Sequence, residues 1–220
     1  MPSSIEREKQ AAAEAGAALV SEGMRVGLGT GSTVARLLPV LAGRGVSDVA
    51  YVATSPETER VAREHGLDVR PFTSFDRLDL ALDGADQVAP SGWLVKGGGG
   101  AHTREKVVAA AAERFVVIVS SNKLVGALAS PIPLELLPFG LESMLRRLKP
   151  VELRSAPPTP DGGLLADYLG PVEDPAELAA WLSQTPGVVE HGLFSPQLIS
   201  EILVATGSSV RTLRPGSRSS

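Results

Sequence analysis

The chain has no cysteine among its 220 residues, three histidines and 4% aromatic residues. The absence of cysteine excludes disulfides, zinc–thiolate sites and thiol nucleophiles. His65, His102 and His191 share no metal-ligand spacing, which argues against a histidine-based metal site. No run of lysines and arginines offers a stripe for a phosphate backbone, and the net charge of −4 argues against a nucleic-acid surface. No apolar stretch approaches the roughly 18 residues of a membrane span, and the N-terminus carries no apolar signal region. The expectation is a cytoplasmic protein that binds neither nucleic acid nor membrane. What remains is ordinary globular material, 43% hydrophobic and 21% charged, long enough for one or two domains. The basic, Ser/Gly-rich end reads as a frayed terminus, with a disordered tail expected at 215–220.

Alternating β and α patterns fill the first part of the chain. An alanine-rich amphipathic helix is expected over 4–22, closed by Gly23, followed by a short apolar strand at 24–28. Further strands are expected at 48–52, 67–71, 78–82 and 93–95, with helices to about 43, from Pro56 to 65, and over 103–113. The run Phe115-Val116-Val117-Ile118-Val119 has no polar face, as in a strand buried on both sides of a parallel sheet. After Pro131 the pattern becomes β-α-β-β-α-β in about 60 residues, the split-βαβ arrangement. Strands near 202–205 and 210–213 return to the first sheet. The fold class is therefore α/β: a Rossmann-like open, mostly parallel sheet with an inserted ferredoxin-like α+β domain. The expected boundaries are 1–127, completed by 195–214, for the first domain and 128–194 for the second.

The stretch with most to say is Lys96-Gly97-Gly98-Gly99-Gly100-Ala101-His102-Thr103-Arg104-Glu105. Each glycine loses more backbone freedom on folding than any other residue, so four in a row imply a close approach or repeated positive φ. A helix follows at once, with its free N–H groups and positive dipole end at the same place. Lys96 reads either as a solvated lysine or as a charge held for a ligand. Glu105 reads either as a first-turn acid favoured by the dipole or as a base. Upstream, Asp83-Gly84-Ala85-Asp86 ends an apolar strand, where open α/β sheets place ligands, although Asp83 alone also suits an Asx-turn. Gly29-Thr30-Gly31-Ser32-Thr33 runs from a strand into a helix. It reads as an anion cradle or as a plain turn capped by Ser32 or Thr33. It lacks the third glycine of a dinucleotide fingerprint and the Gly-Lys pair of a nucleotide P-loop, so a small phosphorylated ligand suits it better. Thr54-Ser55 and Ser120-Ser121-Asn122-Lys123 are further strand-end loops, and Lys123 is a candidate phosphate partner.

These motifs, in this order and spacing, resemble ribose-5-phosphate isomerase of the A type. Pro186-Gly187-Val188-Val189 and Gly192-Leu193-Phe194 extend the resemblance over nearly the whole chain. It implies interconversion of ribose 5-phosphate and ribulose 5-phosphate through an enediolate, in the non-oxidative pentose phosphate pathway, without metal or cofactor. By position, Glu105 resembles the base that moves a proton between C2 and C1. Asp83 resembles the group assisting ring opening, Lys96 the cation at the developing oxyanion, and Asp86 a neighbour of the sugar hydroxyls. Thr30 to Thr33, Gly29, Lys123, Thr54-Ser55 and Gly97 to Gly100 resemble the phosphate and sugar contacts. The resemblance also implies a homodimer or homotetramer. Three positions depart from it. Gln87 stands where the family has Glu, Ser120 to Asn122 replace an Asp before Lys123, and His102 replaces an apolar residue.

Other readings use the same fold. A sugar-phosphate sensor that only binds would carry a DNA-binding helix-turn-helix, for which there is no room before residue 24. An amino-sugar phosphate deaminase would need a catalytic histidine paired with an acid, and an acyl-CoA transferase a glutamate nucleophile in another context. Isomerisation of another sugar phosphate stays open.

Overall fold

In the computed structural model, residues 3–215 are described, so the tail expected at 215–220 lies, from 216 on, outside the described residues. The elements run in the order α1 Ser4–Ala17, β1 Arg25–Leu28, α2 Ser32–Arg44, β2 Ala50–Ala53, α3 Pro56–Glu64, β3 Leu78–Asp83, β4 Gln87–Val88 and β5 Leu94–Val95. There follow α4 His102–Ala111, β6 Ala112–Ser120, β7 Ile132–Leu136, α5 Leu141–Arg147, β8 Val151–Leu153 and β9 Leu164–Tyr168. The chain closes with α6 Pro175–Gln184, β10 Val188–His191, β11 Leu193–Phe194, β12 Glu201–Thr206 and β13 Ser209–Leu213. It divides into two compact units. The first comprises the described residues up to Ala85, Arg104–Lys123, and those from Pro196 onward; the second is Asp86–Thr103 with Leu124–Ser195.

The first unit is built on a six-stranded sheet of order β13-β12-β6-β3-β1-β2. All neighbours are parallel except the edge hairpin β12–β13. Phe115 to Val119 are at most 1% exposed, as expected of a strand covered on both faces. Small residues let helices lie close. A Cβ at Gly27 would come 2.4 Å from Val108 on α4, and one at Gly16 would come 3.0 Å from Ile118 on β6. The order reverses at β1, which pairs with β2 on one side and β3 on the other. Open α/β sheets bind ligands at the carboxyl ends beside such a switch point. Here those ends are Leu28, followed by Gly29, and Asp83.

Two expected elements fall short. α1 stops at Ala17, because the Arg44 guanidinium takes the carbonyls of Ala17 and Val20, and Gly23 adopts φ 77° in the turn beyond. The strand expected at 67–71 is reduced to one bridge, Tyr51 to Val69, with Pro71 following and offering no N–H.

The second unit holds a four-stranded antiparallel sheet of order β10-β7-β9-β8, crossed by α5 and α6, and a three-stranded sheet of order β11-β5-β4. The first is the β-α-β-β-α-β unit anticipated from sequence. Its two faces differ. Ile132, Leu134, Leu136, Ala166 and Tyr168 form a core with Met144, Leu148 and Leu182. Pro133, Glu135, Leu165 and Asp167, the alternate residues of β7 and β9, occupy the other face.

Candidate active site

In the first unit, Gly29 and Asp83 are fitted to each other. A Cβ at Gly29 would lie 1.8 Å from the Asp83 carboxylate, so no other residue is possible there without moving the acid. Asp83 Oδ1 accepts the Thr30 N–H at 3.2 Å and the Gly84 N–H at 2.7 Å. Bonds from two backbone N–H groups favour a carboxylate in its charged form. A hydroxyl chain fixes the same loop. Thr30 Oγ1 lies 3.0 Å from Thr54 Oγ1, and Thr58 Oγ1 donates to the Gly29 carbonyl at 2.9 Å. Ser55 caps α3 through the Thr58 N–H at 3.1 Å. Thr54 is buried within this chain, so it supports Thr30. α2 opens on Gly31, with φ 116° and no side chain to cap the helix, leaving its first turn beside exposed Ser32 and half-buried Thr33.

In the second unit, three of the four glycines have identifiable reasons. Gly97 (φ 105°) would place a Cβ 2.7 Å from His102 Nδ1, and Gly100 (φ 77°) would place one 2.5 Å from Leu165. Gly98 packs on Asp86, whose Oδ2 accepts the Gly98 N–H at 2.8 Å. Asp86 therefore builds the turn. His102 is wholly buried against Gly97, which accounts for a large ring at a position that the resemblance makes apolar. Lys96 follows β5 and is tied by its N–H to the Gly192 carbonyl at 2.8 Å, with Nζ 5.4 Å from the centre of the Phe194 ring. Asp83 and Glu105 in the first unit are 3% and 5% exposed, and Lys96 in the second is 2% exposed. Charged side chains are almost never buried so far unless they are paired.

Sequence reasoning missed the polar face of the second sheet. Buried Glu135 accepts the hydroxyls of Thr103, in the first turn of α4, and of Thr159, the latter at 2.6 Å. Arg154 forks onto Asp167 at 2.8 and 2.6 Å and donates to the carbonyls of Gly97 and Gly98. The available signal was an acid inside each of two apolar strands, Ile-Pro-Leu-Glu-Leu and Leu-Leu-Ala-Asp-Tyr. Of the three-stranded sheet only β5 was expected, within 93–95; β4 and β11 were missed, since two-residue strands carry no periodicity.

The family model for ribose 5-phosphate isomerase A (phosphoriboisomerase A) matches residues 50–209. The chain belongs to this family. It is 42% identical, over 227 aligned positions, to ribose-5-phosphate isomerase A of Caulobacter vibrioides, covering 96% of this chain and all of that one. It is 44% identical to the Methanosarcina acetivorans relative, over 85% and 86% of the two chains. Among solved structures, a D-ribose-5-phosphate isomerase in complex with phospho-erythronic acid aligns with TM-score 0.90 at 32% identity, covering 96% of this chain and 99% of that one. The Methanocaldococcus jannaschii enzyme aligns at TM-score 0.88 and 33% identity, covering 94% and 97%. The Rossmann-like sheet with its ferredoxin-like insertion is the fold of this family.

The departures from the family pattern acquire local reasons. Gln87 donates to the Ala129 carbonyl at 2.7 Å and accepts the Ala129 N–H at 2.9 Å, a two-way latch that a glutamate could not close. The Ser121–Lys123 turn lacks its own acid, but Glu8 of α1 supplies one. Its carboxylate accepts the Ser121 N–H at 2.9 Å, the Ser121 hydroxyl at 2.7 Å and the Gly207 N–H at 3.1 Å. The Ser121 hydroxyl, with the two N–H groups, holds the Glu8 carboxyl below the usual range. Lys123 ends that turn, half-buried.

Proposed function

We propose that this chain interconverts D-ribose 5-phosphate and D-ribulose 5-phosphate by general acid–base catalysis through an enediolate. The observation that carries the reading is the burial, in a chain of this family, of three ionisable residues, Asp83, Lys96 and Glu105, the first with Gly29 fitted against its carboxylate. A proton α to a carbonyl is weakly acidic, so a placed base and a charge stabiliser are both needed. In this reading Glu105 takes the C2 proton and returns it to C1, a role worth about 10²–10⁴-fold. Lys96 offsets the charge growing on the substrate oxygen; each such donor is worth about 10²–10³-fold. Asp83, oriented by the Thr30 and Gly84 N–H groups, receives and returns hydroxyl protons during ring opening. Asp86 and Gly97 to Gly100 frame the sugar, while Gly29, Thr30, Gly31, Ser32, Thr33 and Lys123 take the phosphate, with Thr54 and Ser55 supporting that loop. No step draws on a metal or a cofactor.

Among the described residues no helix is long and apolar enough to cross a membrane. A cytoplasmic sugar-phosphate enzyme, placed in the pentose phosphate pathway, accords with that. Self-association as a homodimer or homotetramer is part of the proposal, supported by Phe139, 93% exposed beside half-exposed Leu137. The test is turnover of ribose 5-phosphate in EDTA by the wild type and by Glu105→Gln. Turnover by the wild type and a loss of at least about 10²-fold in the variant are expected. Tight binding without turnover by the wild type would instead make the chain a sugar-phosphate-binding domain, and full activity of Glu105→Gln would remove the base.

A further inference from the structure

We infer that Arg154 is a positioning residue that sets the direction of the peptide groups in the Gly97–Gly100 turn; this rests on the isomerase reading of that turn. The argument begins with one peptide unit. The Gly97 carbonyl accepts from Arg154 Nη1 at 2.9 Å, and the N–H of the same peptide, that of Gly98, donates to Asp86 Oδ2 at 2.8 Å. In a trans peptide the C=O and N–H point in opposite directions. Arg154 and Asp86 therefore grip this unit from its two ends, each with the charge that its dipole favours. The next carbonyl, Gly98, also faces Arg154 Nη1, at 3.3 Å. The N–H of Gly99 consequently points away from the guanidinium, as the Gly98 N–H does.

Glycine makes this lock necessary. The Gly100 N–H also bonds the Gly97 carbonyl at 3.0 Å, but a turn with φ 105° at Gly97 and φ 77° at Gly100 has no side chains to resist rotation of the Gly98–Gly99 plane. A flipped Gly98–Gly99 plane would present a carbonyl oxygen where the Gly99 N–H stands, and would repel a substrate oxygen as it gains negative charge. The lock is anchored. Arg154 follows β8 and is forked onto Asp167 of β9, both side chains only about a fifth exposed. Leu165, two residues before Asp167 on the same face, packs under Gly100. A planar guanidinium can serve a carboxylate and two carbonyls at once, whereas an ammonium on a flexible stem cannot hold that geometry.

Arg154→Met and Arg154→Lys test this, with kcat and KM for ribose 5-phosphate and the competitive inhibition constant of phospho-erythronic acid, whose carboxylate carries a charge like that of the enediolate. The expected result for Arg154→Met is a fall in kcat of about 10–100-fold, less than the about 10²–10³-fold of a direct donor. KM should change by less than about threefold, and inhibitor binding should weaken in step with kcat/KM. Arg154→Lys should recover only part of the loss. Both melting temperatures are measured, and Asp167→Asn, which leaves the arginine but loosens its anchor, should show a smaller loss of the same kind. Wild-type kcat in Arg154→Met would overturn the inference, as would a loss confined to KM. A wild type without turnover would instead defeat the isomerase reading.

Discussion

Replacing Glu8 by glutamine should cost this protein about 3 kcal/mol at neutral pH. The carboxylate is buried and accepts three hydrogen bonds from two distant segments, Ser121 and Gly207. A glutamine has one acceptor oxygen. With that oxygen toward Ser121, its NH2 group meets the Gly207 N–H, donor against donor. Taken at the low end, the lost charge-assisted bond is worth about 1.5 kcal/mol, and the two that remain lose together about as much again without the charge. For a chain of this size about 3 kcal/mol corresponds to roughly 6–12 °C in melting temperature. The pH dependence gives a second signature. The folded-state carboxyl is held below its ordinary value by the Ser121 hydroxyl first, then the Gly207 and Ser121 N–H groups. Its contribution is therefore fully present above the unfolded-state value of about 4.3 and is lost as pH falls through the depressed folded value. The gap between wild type and Glu8→Gln, followed by calorimetry or circular dichroism from pH 7 to pH 3, should be wide at neutrality and close below about pH 4. Ser121 opens the turn that ends in Lys123, so KM for ribose 5-phosphate should rise more than kcat falls. Equal melting temperatures at pH 7, or a gap that does not narrow in acid, would refute the reasoning.

Three further outcomes are expected. Gly29→Ala should remove most isomerase activity and destabilise by about 1–3 kcal/mol, because its methyl group would occupy the Asp83 carboxylate; a kinetic assay showing near-wild-type turnover would contradict the fit. Gln87→Glu should lower stability by about 1 kcal/mol through the lost bond to Ala129, with kcat/KM unchanged; altered sugar-phosphate preference would show that this position reads the substrate instead. Phe139→Ser should reduce the assembly mass measured by light scattering at low protein concentration, and an unchanged mass would remove this side chain from the association surface.

What could be read from the sequence, and what could not, follows from the range of the interactions. The long strand at Phe115 to Val119 and the helices capped by Ser55 and Asp174 are set by neighbours in the chain, so periodicity and capping residues suffice to locate them. The glycine run likewise announces a backbone constraint without saying what imposes it. The causes lie far along the chain: Leu165 is 65 residues beyond Gly100, and Arg154 is 57 beyond Gly97. Gly29 is explained only by Asp83, and the missing acid before Lys123 only by Glu8, 113 residues upstream of Ser121. Side chains such as Glu8, Glu135 and Arg154 have no local signature, because a charged residue in a helix or a strand looks the same whether it faces water or a backbone group. Their roles depend on partners supplied by the topology. It follows that substitutions at Glu8, Glu135 and Arg154 should act through the segments they hold. Activity should return where a second change restores the bond, whereas no such partner change should rescue Glu105→Gln.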